Sequence, residues 1–533
     1  MMKLTKFLQQ KPNLRNYPFK RETHALTETG SSLILLFMSS VESPVPHFPR
    51  ATLFVTAFCV GAIVMMYELA GARMLAPYFG SGMDTWTTLI GTILAFLSLG
   101  YFLGGRLADR VTEYHVIGSL LFASALLIAV INHTRDLILA WIIGWELELL
   151  WAVFLASVIL FAVPSVLLGI IQPYVVKLST RQLATLGRIS GQISTLSTAG
   201  GIFGTFASGF YVLPLLGTTR TTYALSGALL LLSLLYLRPV LHRILSITLL
   251  LSLPFLGSTR TLSYVVADLD TPYSRVIVKD LPGNESTGPV RVLTFSPYGY
   301  QSSVYLGNPD RSPTPYFEFF DYATNFHRNP RHVLMVGGGA FFYPEDYAKR
   351  HPQTQVSVYE IDPELPVIAQ EYFDFEPPAN LQVYSQDGRA GLSKLNAPVD
   401  LIILDAFSSL SIPFHLTTRE YLQELQRIST PRTVVVANLI GADTGKDADF
   451  LKAYVATFQA EYADVRVFQN SLEQPRNKRQ NFTVLAQNSP LVEYATANRE
   501  LAGHEITLDT RSAPPLTDDQ APVEYYNRDL YTQ

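Results

Sequence analysis

The chain has a single cysteine among 533 residues, Cys59, and it stands inside an apolar run. One thiol excludes an internal disulfide and a cysteine-built metal centre. His332 and His415 have no second ligand at metal spacing, so no metal is expected. Charged residues make up only 16% of the chain and the formal net charge is −4, so the basic surface of a nucleic-acid binder is missing. Charge is scarcest over residues 51–257, a succession of apolar runs, whereas residues 261–533 have the mixed composition of an α/β domain. A chain of this length should hold more than one domain, at ~100–200 residues each.

The most informative stretch is 331–362, RHVLMVGGGAFFYPEDYAKRHPQTQVSVYEID. An apolar strand over 333–336 meets Gly337, Gly338 and Gly339. A segment of helical length follows, and a second strand over 356–359 ends in Glu360 and Asp362. Glu360 stands 23 residues beyond the first glycine (337 to 360). In an open α/β sheet such glycines let the backbone close on a ligand, and a carboxylate at the next strand tip accepts bonds from ribose hydroxyls. Two further strands extend the pattern: 381–384 leads to Gln386, Asp387 and Gly388, and 399–404 leads to Asp405, Ala406 and Phe407. Upstream, 274–279, 290–295 and 302–306 read as short β segments between turns.

The order GGG, EID, DG and a strand ending in Asp resembles the spermidine synthases, the polyamine aminopropyltransferases, over roughly residues 264–439. With the apolar runs, the whole chain is similar to membrane-fused spermidine-synthase-like proteins of bacteria. The resemblance implies a multi-pass α-helical membrane domain (51–257) after a basic tail (1–50). A small antiparallel β domain (261–328), an α/β Rossmann-type, methyltransferase-like domain (329–490) and a C-terminal tail (491–533) follow. It implies S-adenosylmethionine or its decarboxylated form as substrate. Gly337, Gly338 and Gly339 would cradle it, with Glu360 on the ribose, Asp387 near the adenine amino group and Gln301 in the donor pocket. Asp405 would be catalytic, taking the proton from the attacking amine or orienting it, and Tyr316 and Glu318 would bind the amine substrate. A small amine or polyamine is the expected partner, and a homodimer the expected assembly.

Three positions depart from the family. Ala340 replaces an aspartate that pairs with the donor's amine, Phe317 replaces a histidine, and Ala406 replaces a Ser or Thr. An aspartate at 340 would repel the carboxylate of intact S-adenosylmethionine by roughly 4 kcal/mol at ~4 Å and an effective dielectric near 20. Its loss points to the intact molecule as ligand. A lyase or methyltransferase on intact S-adenosylmethionine is therefore one alternative; a transporter or sensor with a nucleoside- or polyamine-binding soluble domain is another.

Apolar runs at 51–70, 86–105, 114–131, 149–171, 192–213, 221–237 and 241–257 approach the ~20 residues that cross a bilayer. The piece 137–145 is an eighth crossing, an interfacial helix or a re-entrant turn. Positive charge puts the N-terminal tail, the turn Arg106 to Arg110 and the loop 177–188 in the cytoplasm. A cytosolic donor requires the catalytic domain there too, so an even number of crossings of the inner membrane is expected. The turn 105–110 resembles the one between the second and third helices of major-facilitator transporters. Gly200, Gly204 and Ser208, and Gly201, Thr205 and Gly209, give one helix two faces small enough for close contact. Glu68 is an ionisable group within the first span; its expected partner is Arg73, and a polar head-group pocket is the other reading.

Overall fold

The computed structural model describes residues 49–180, 182–236, 244, 247–249, 264–283, 288–296, 300–308, 312–327, 329–395, 398–407, 412–445, 448–492 and 499–527. Five helical stretches are long and apolar enough to cross a membrane: α1 (Arg50–Phe79), α2 (Met83–Arg110), α3 (Tyr114–Ile143), α4 (Leu149–Ser179) and the 52 residues Leu183–Leu234. The last is two segments. Helix α5 (Leu186–Ala207) passes through a π turn into α6 (Leu213–Leu234), which breaks at Gly217 (φ 70°, ψ 178°). The chain reverses at that break. Gly204 of α5 packs on the Ala62 backbone of α1, and beyond α6 the Tyr236 hydroxyl lies 2.6 Å from Thr56, near the start of α1. The described residues therefore contain six segments of bundle length.

The piece 137–145 is not a crossing of its own. Helix α3 runs unbroken to Ile143, because the polar dip before it is satisfied inside the bundle. Asn132 donates to the Thr219 carbonyl (3.2 Å), and Arg135 donates to Asn132 (3.1 Å) and to the Thr219 hydroxyl (2.8 Å). The expected span at 241–257 lies outside the described residues apart from 244 and 247–249, and the tail before residue 49 lies outside them altogether.

Small residues set the helix contacts. A Cβ on Gly200 or Gly204 would collide with the carbonyls of Phe58 and Ala62, and one on Gly100 or Gly104 with those of Val166 and Ile170 in α4. Gly201 meets only the Met65 side chain and Gly209 faces open space, so one of the two expected faces makes the backbone contact.

The two ends of the bundle differ. At one end lie Arg50, the Arg106 to Arg110 turn and Lys177, whose Nζ is 2.9 Å from Asp109. At the other, the bundle is clasped to the α/β part of the chain. Arg73 Nη2 donates to the carbonyls of Thr271 (3.0 Å) and Pro272 (2.6 Å), and Arg275 pairs with Asp136 (3.1 Å) and Asp268 (2.7 Å). Asp270 accepts from the Thr218 amide (3.0 Å) just past the Gly217 break, and Glu524 from the Met83 amide (2.6 Å). One expectation is corrected here. Arg73 points to carbonyls of the α/β part and away from a pair with Glu68, which is itself buried. Arg50 and the α/β part stand at opposite ends of the bundle.

Strands β1 (Val265–Asp270), β2 (Arg275–Leu281), β3 (Val290–Thr294) and β4 (Ser302–Tyr305) form an antiparallel sheet in that order. Helix α7 (Phe317–Thr324) leads into the larger sheet, which comprises β5 (His332–Val336), β6 (Gln355–Glu360), β7 (Leu381–Ser385), β8 (Val399–Leu404), β9 (Ser429–Gly441), β10 (Asp464–Gln469), β11 (Gln480–Gln487) and β12 (Glu505–Ile506). Its order is β12-β10-β11-β9-β8-β5-β6-β7, parallel from β9 to β7 and antiparallel where β11 pairs β9. This is a methyltransferase-like α/β sheet. The central strands are near-continuous apolar runs because both faces are covered: Val333, Leu334, Leu401, Ile402, Val434 and Val435 are fully buried. Strand order reverses between β5 and β8, which opens a crevice at their carboxyl ends.

Candidate active site

The turn after β5 brings two strand ends together. Gly337 has φ 97° and Gly339 φ 54°, conformations that side chains other than glycine's rarely adopt. A Cβ on Gly337 would also run into the Asp405 carbonyl. Backbone bonds tie the junction: the Gly337 amide donates to the Tyr359 carbonyl (2.9 Å) and the Asp405 amide to the Val336 carbonyl (2.9 Å). The tips of β5, β6 and β8 thus meet at one point.

Glu360 closes that point from the β6 side. One of its oxygens accepts from the Gly338 amide (2.9 Å) and the other from the Asp362 amide (3.0 Å). Burial pushes its pKa up, against backbone bonds from Asp362, Gly338 and Ile361, and the carboxylate has four acceptor sites for these and a hydroxyl donor. Asp362 turns to the clasp, where the Thr271 hydroxyl donates to it at 2.5 Å.

Asp405 closes the point from the β8 side. Burial raises its pKa to about 7, against bonds from the Asn438 amide (2.9 Å) and the Tyr316 hydroxyl (3.1 Å) that favour the ionised form. Asn438 is fixed in turn by the Asn481 amide (2.9 Å). Both asparagines were outside the sequence reading. The signal for Asn438 was there: it is the one polar residue in the apolar run 434–440.

These groups line one cavity of about 520 Å³, together with Gly337, Gly338, Gly339, Asp387, Gln301 and Tyr316. Of the residues expected at the site, only Glu318 is absent from the lining: it is exposed on α7, and its neighbour Phe317 faces the cavity instead. Asp387 is more committed than expected. It accepts from the amides of Arg389 (3.0 Å) and Ala390 (2.9 Å), and its other oxygen lies 2.9 Å from His415 Nε2. Burial opposes its charge, but these bonds hold its pKa below the usual carboxylate range. His415, set aside in the sequence, is therefore a wall residue held by Asp387.

Position 340 also differs from expectation. Ala340 is buried, its amide donates to the Ser302 hydroxyl (3.0 Å), and it does not line the cavity. The neighbouring wall is aromatic: Phe317 stacks on Phe342 at 6.0 Å between centroids and packs on Tyr343 at 5.1 Å. The cavity's remaining side comes from the bundle, through Ala72, Arg73, Ala76, Pro77 and Trp86.

No family model matches the chain. Over its C-terminal part the chain is similar to the polyamine aminopropyltransferase of Vibrio vulnificus (strain CMCP6), with 32% identity over 149 residues, 27% of this chain and 49% of that protein. It is also similar to the probable polyamine aminopropyl transferase of Bifidobacterium longum (strain NCC 2705), with 31% identity over 111 residues, 21% of this chain and 24% of that protein. The chain thus spans about half the length of the first relative and a quarter of the second. Among solved structures, a probable spermidine synthase from Corynebacterium glutamicum ATCC 13032 is similar at 20% identity and a TM-score of 0.39, over 46% of this chain and 93% of that one.

Proposed function

We propose that this chain is a membrane-anchored transferase of the polyamine aminopropyltransferase kind. In this reading it binds decarboxylated S-adenosylmethionine as substrate and moves the three-carbon arm to an amine. The observation that carries the reading is geometric: Asp405, at a strand tip and held by the Tyr316 hydroxyl and the Asn438 amide, shares one cavity with Glu360.

An alkylamine is mostly protonated at neutral pH and attacks carbon only after losing a proton. A base whose pKa lies near the working pH is suited to accept it. The amine nitrogen bonds to the arm carbon next to sulfur and the carbon–sulfur bond breaks. Methylthioadenosine leaves with the bonding electrons, and the proton goes to the Asp405 carboxylate. Tyr316 and Asn438 hold the two carboxylate oxygens, which aims the base and limits its motion. Glu360 holds the nucleoside through the ribose, and the tight turn at Gly337 to Gly339 lets the backbone approach it.

The test uses the purified full chain with decarboxylated S-adenosylmethionine and an amine, with methylthioadenosine followed by mass spectrometry. Asp405→Asn is expected to cut the rate by orders of magnitude and leave methylthioadenosine affinity near wild type. Release of no methylthioadenosine by the wild-type chain with any amine overturns the proposal. A second reading, turnover of intact S-adenosylmethionine, is favoured by the lack of an acidic side chain at the turn after Gly339. Calorimetry with both donors separates the two.

A further inference from the structure

The loop between β1 and β2, residues 271–274, is held by three helices of the bundle. Arg73 of α1 donates to the carbonyls of Thr271 and Pro272. Asp270, just before the loop, accepts from the amides of Thr218 (3.0 Å) and Thr219 (3.4 Å) in α6, and Arg275, just after it, pairs with Asp136 of α3. Gly217 lets α6 come that close, since a Cβ there would run into the Asp270 side chain. Asp270 and Asp362 are the acids that attract the charge of Arg73, so its guanidinium is committed to this junction. A loop bonded to the bundle at both ends has little freedom of its own.

The same loop reaches the candidate nucleoside site through a hydroxyl. Thr271 is fully buried and its Oγ1 donates to Oδ2 of Asp362 (2.5 Å), while Oδ1 of Asp362 accepts from the Glu364 amide (3.1 Å). Both oxygens of this buried carboxylate are therefore engaged. Burial opposes its charge, and the Thr271 bond, the Glu364 amide and Arg73 favour it. The Asp362 amide in turn donates to Glu360 (3.0 Å), whose other oxygen takes the Gly338 amide (2.9 Å). Contacts thus run from α1 to the strand tip in the order Arg73, Thr271, Asp362, Glu360. Hydrogen bonds weaken steeply away from linearity, so a carboxylate that receives sugar hydroxyls depends on the angle at which it is presented.

On the reading given above, in which Glu360 holds the ribose, we infer that Arg73, Thr271 and Asp362 are positioning residues for the nucleoside. The bundle fixes the loop, the loop fixes Asp362, and the Asp362 amide fixes the Glu360 carboxylate. The bundle is then a part of donor binding as well as an anchor.

Methylthioadenosine is titrated by calorimetry into the purified full chain and its variants. Arg73→Gln removes the charge and is expected to weaken binding about tenfold, whereas Arg73→Lys, which still donates to the loop carbonyls, stays within about threefold of wild type. Made in a Glu360→Gln chain, Arg73→Gln is expected to cost less than about twofold more, because a residue that acts through Glu360 has nothing left to position there. Equal losses in the two backgrounds overturn the inference, since Arg73 then acts by another route. Unchanged binding in Arg73→Gln alone also overturns it and leaves the nucleoside reading standing. Thr271→Val, which keeps the shape and removes the hydroxyl, runs the same cycle from the loop side, and serves alone if Arg73→Gln does not fold. In turnover with decarboxylated S-adenosylmethionine and an amine, either variant should raise the donor KM about tenfold with kcat within about threefold; a fall in kcat at unchanged KM counts against positioning. A wild-type chain that does not bind methylthioadenosine overturns the nucleoside reading and this inference with it.

Discussion

The phenolic oxygen of Tyr316 lies 3.1 Å from Oδ2 of Asp405, and burial drives the two groups' pKa values upward together. The phenol is held as a donor and the carboxylate as a base that loses its proton only near neutrality. The wild-type rate at saturating donor should therefore rise with pH through a midpoint near 7. Tyr316→Phe removes a bond that favours the ionised carboxylate, so the midpoint should move upward and the rate at pH 7 should fall. A pH–rate profile of the two proteins checks this; an unmoved midpoint would detach Tyr316 from the base.

The same carboxylate carries a stability signature. Its folded pKa of about 7 lies above the ordinary value, so its protonated form favours the folded state. That contribution is fully present at low pH, below the unfolded value of about 3.9, and is lost as pH rises through about 7. Melting temperatures of wild type and Asp405→Asn should diverge between pH 5 and pH 8, with the wild type losing more. Parallel curves would contradict a buried, elevated carboxyl.

Glu360 accepts from the amides of Gly338 and Asp362 and lines the cavity, where its carboxylate can take a ribose hydroxyl as well. Glu360→Gln keeps the shape and removes the charge. A hydrogen bond to a charged group contributes about 1.5–3 kcal/mol, so methylthioadenosine affinity should fall roughly 10- to 100-fold. Titration calorimetry reads this directly.

Gly337 is required twice over, by its φ of 97° and by the Asp405 carbonyl against its α-carbon. Gly337→Ala should cost at least about 1–3 kcal/mol of stability for the backbone alone and should abolish nucleoside binding. Gly307→Ala, where a Cβ meets open space, is the control and should change neither.

The Arg106 to Arg110 turn and the α/β part stand at opposite ends of helices such as α2, about 42 Å long at 1.5 Å per residue. A cytosolic donor requires the α/β part in the cytoplasm, which places the basic turns on the other side, against the usual charge rule. Reporters after residue 110 and at the C-terminus should report opposite sides, the second cytoplasmic. The reverse result keeps the basic turns in the cytoplasm and takes the candidate site away from the cytosolic donor.

Four strands of the larger sheet, β5 to β8, the glycine turn and the carboxylates at the strand tips were legible along the chain. Each depends on neighbours a few residues away: an apolar run, a backbone angle that only glycine adopts, an acid where a strand stops. The apolar helices were legible for the same reason, although the polar dip before residue 137 hid the continuity of α3, since its compensating partner, Thr219, is distant in sequence. Tertiary structure decided the rest. Asp405 owes its elevated pKa to burial and its hydrogen-bond partners to Tyr316 and Asn438, which come from α7's approach and from β9. Glu318 turned outward and Ala340 inward because helix phase and turn geometry choose the side. That Arg73 and Ala76 share a cavity with Asp405 could not be read from order along the chain, because burial and desolvation belong to the packed molecule.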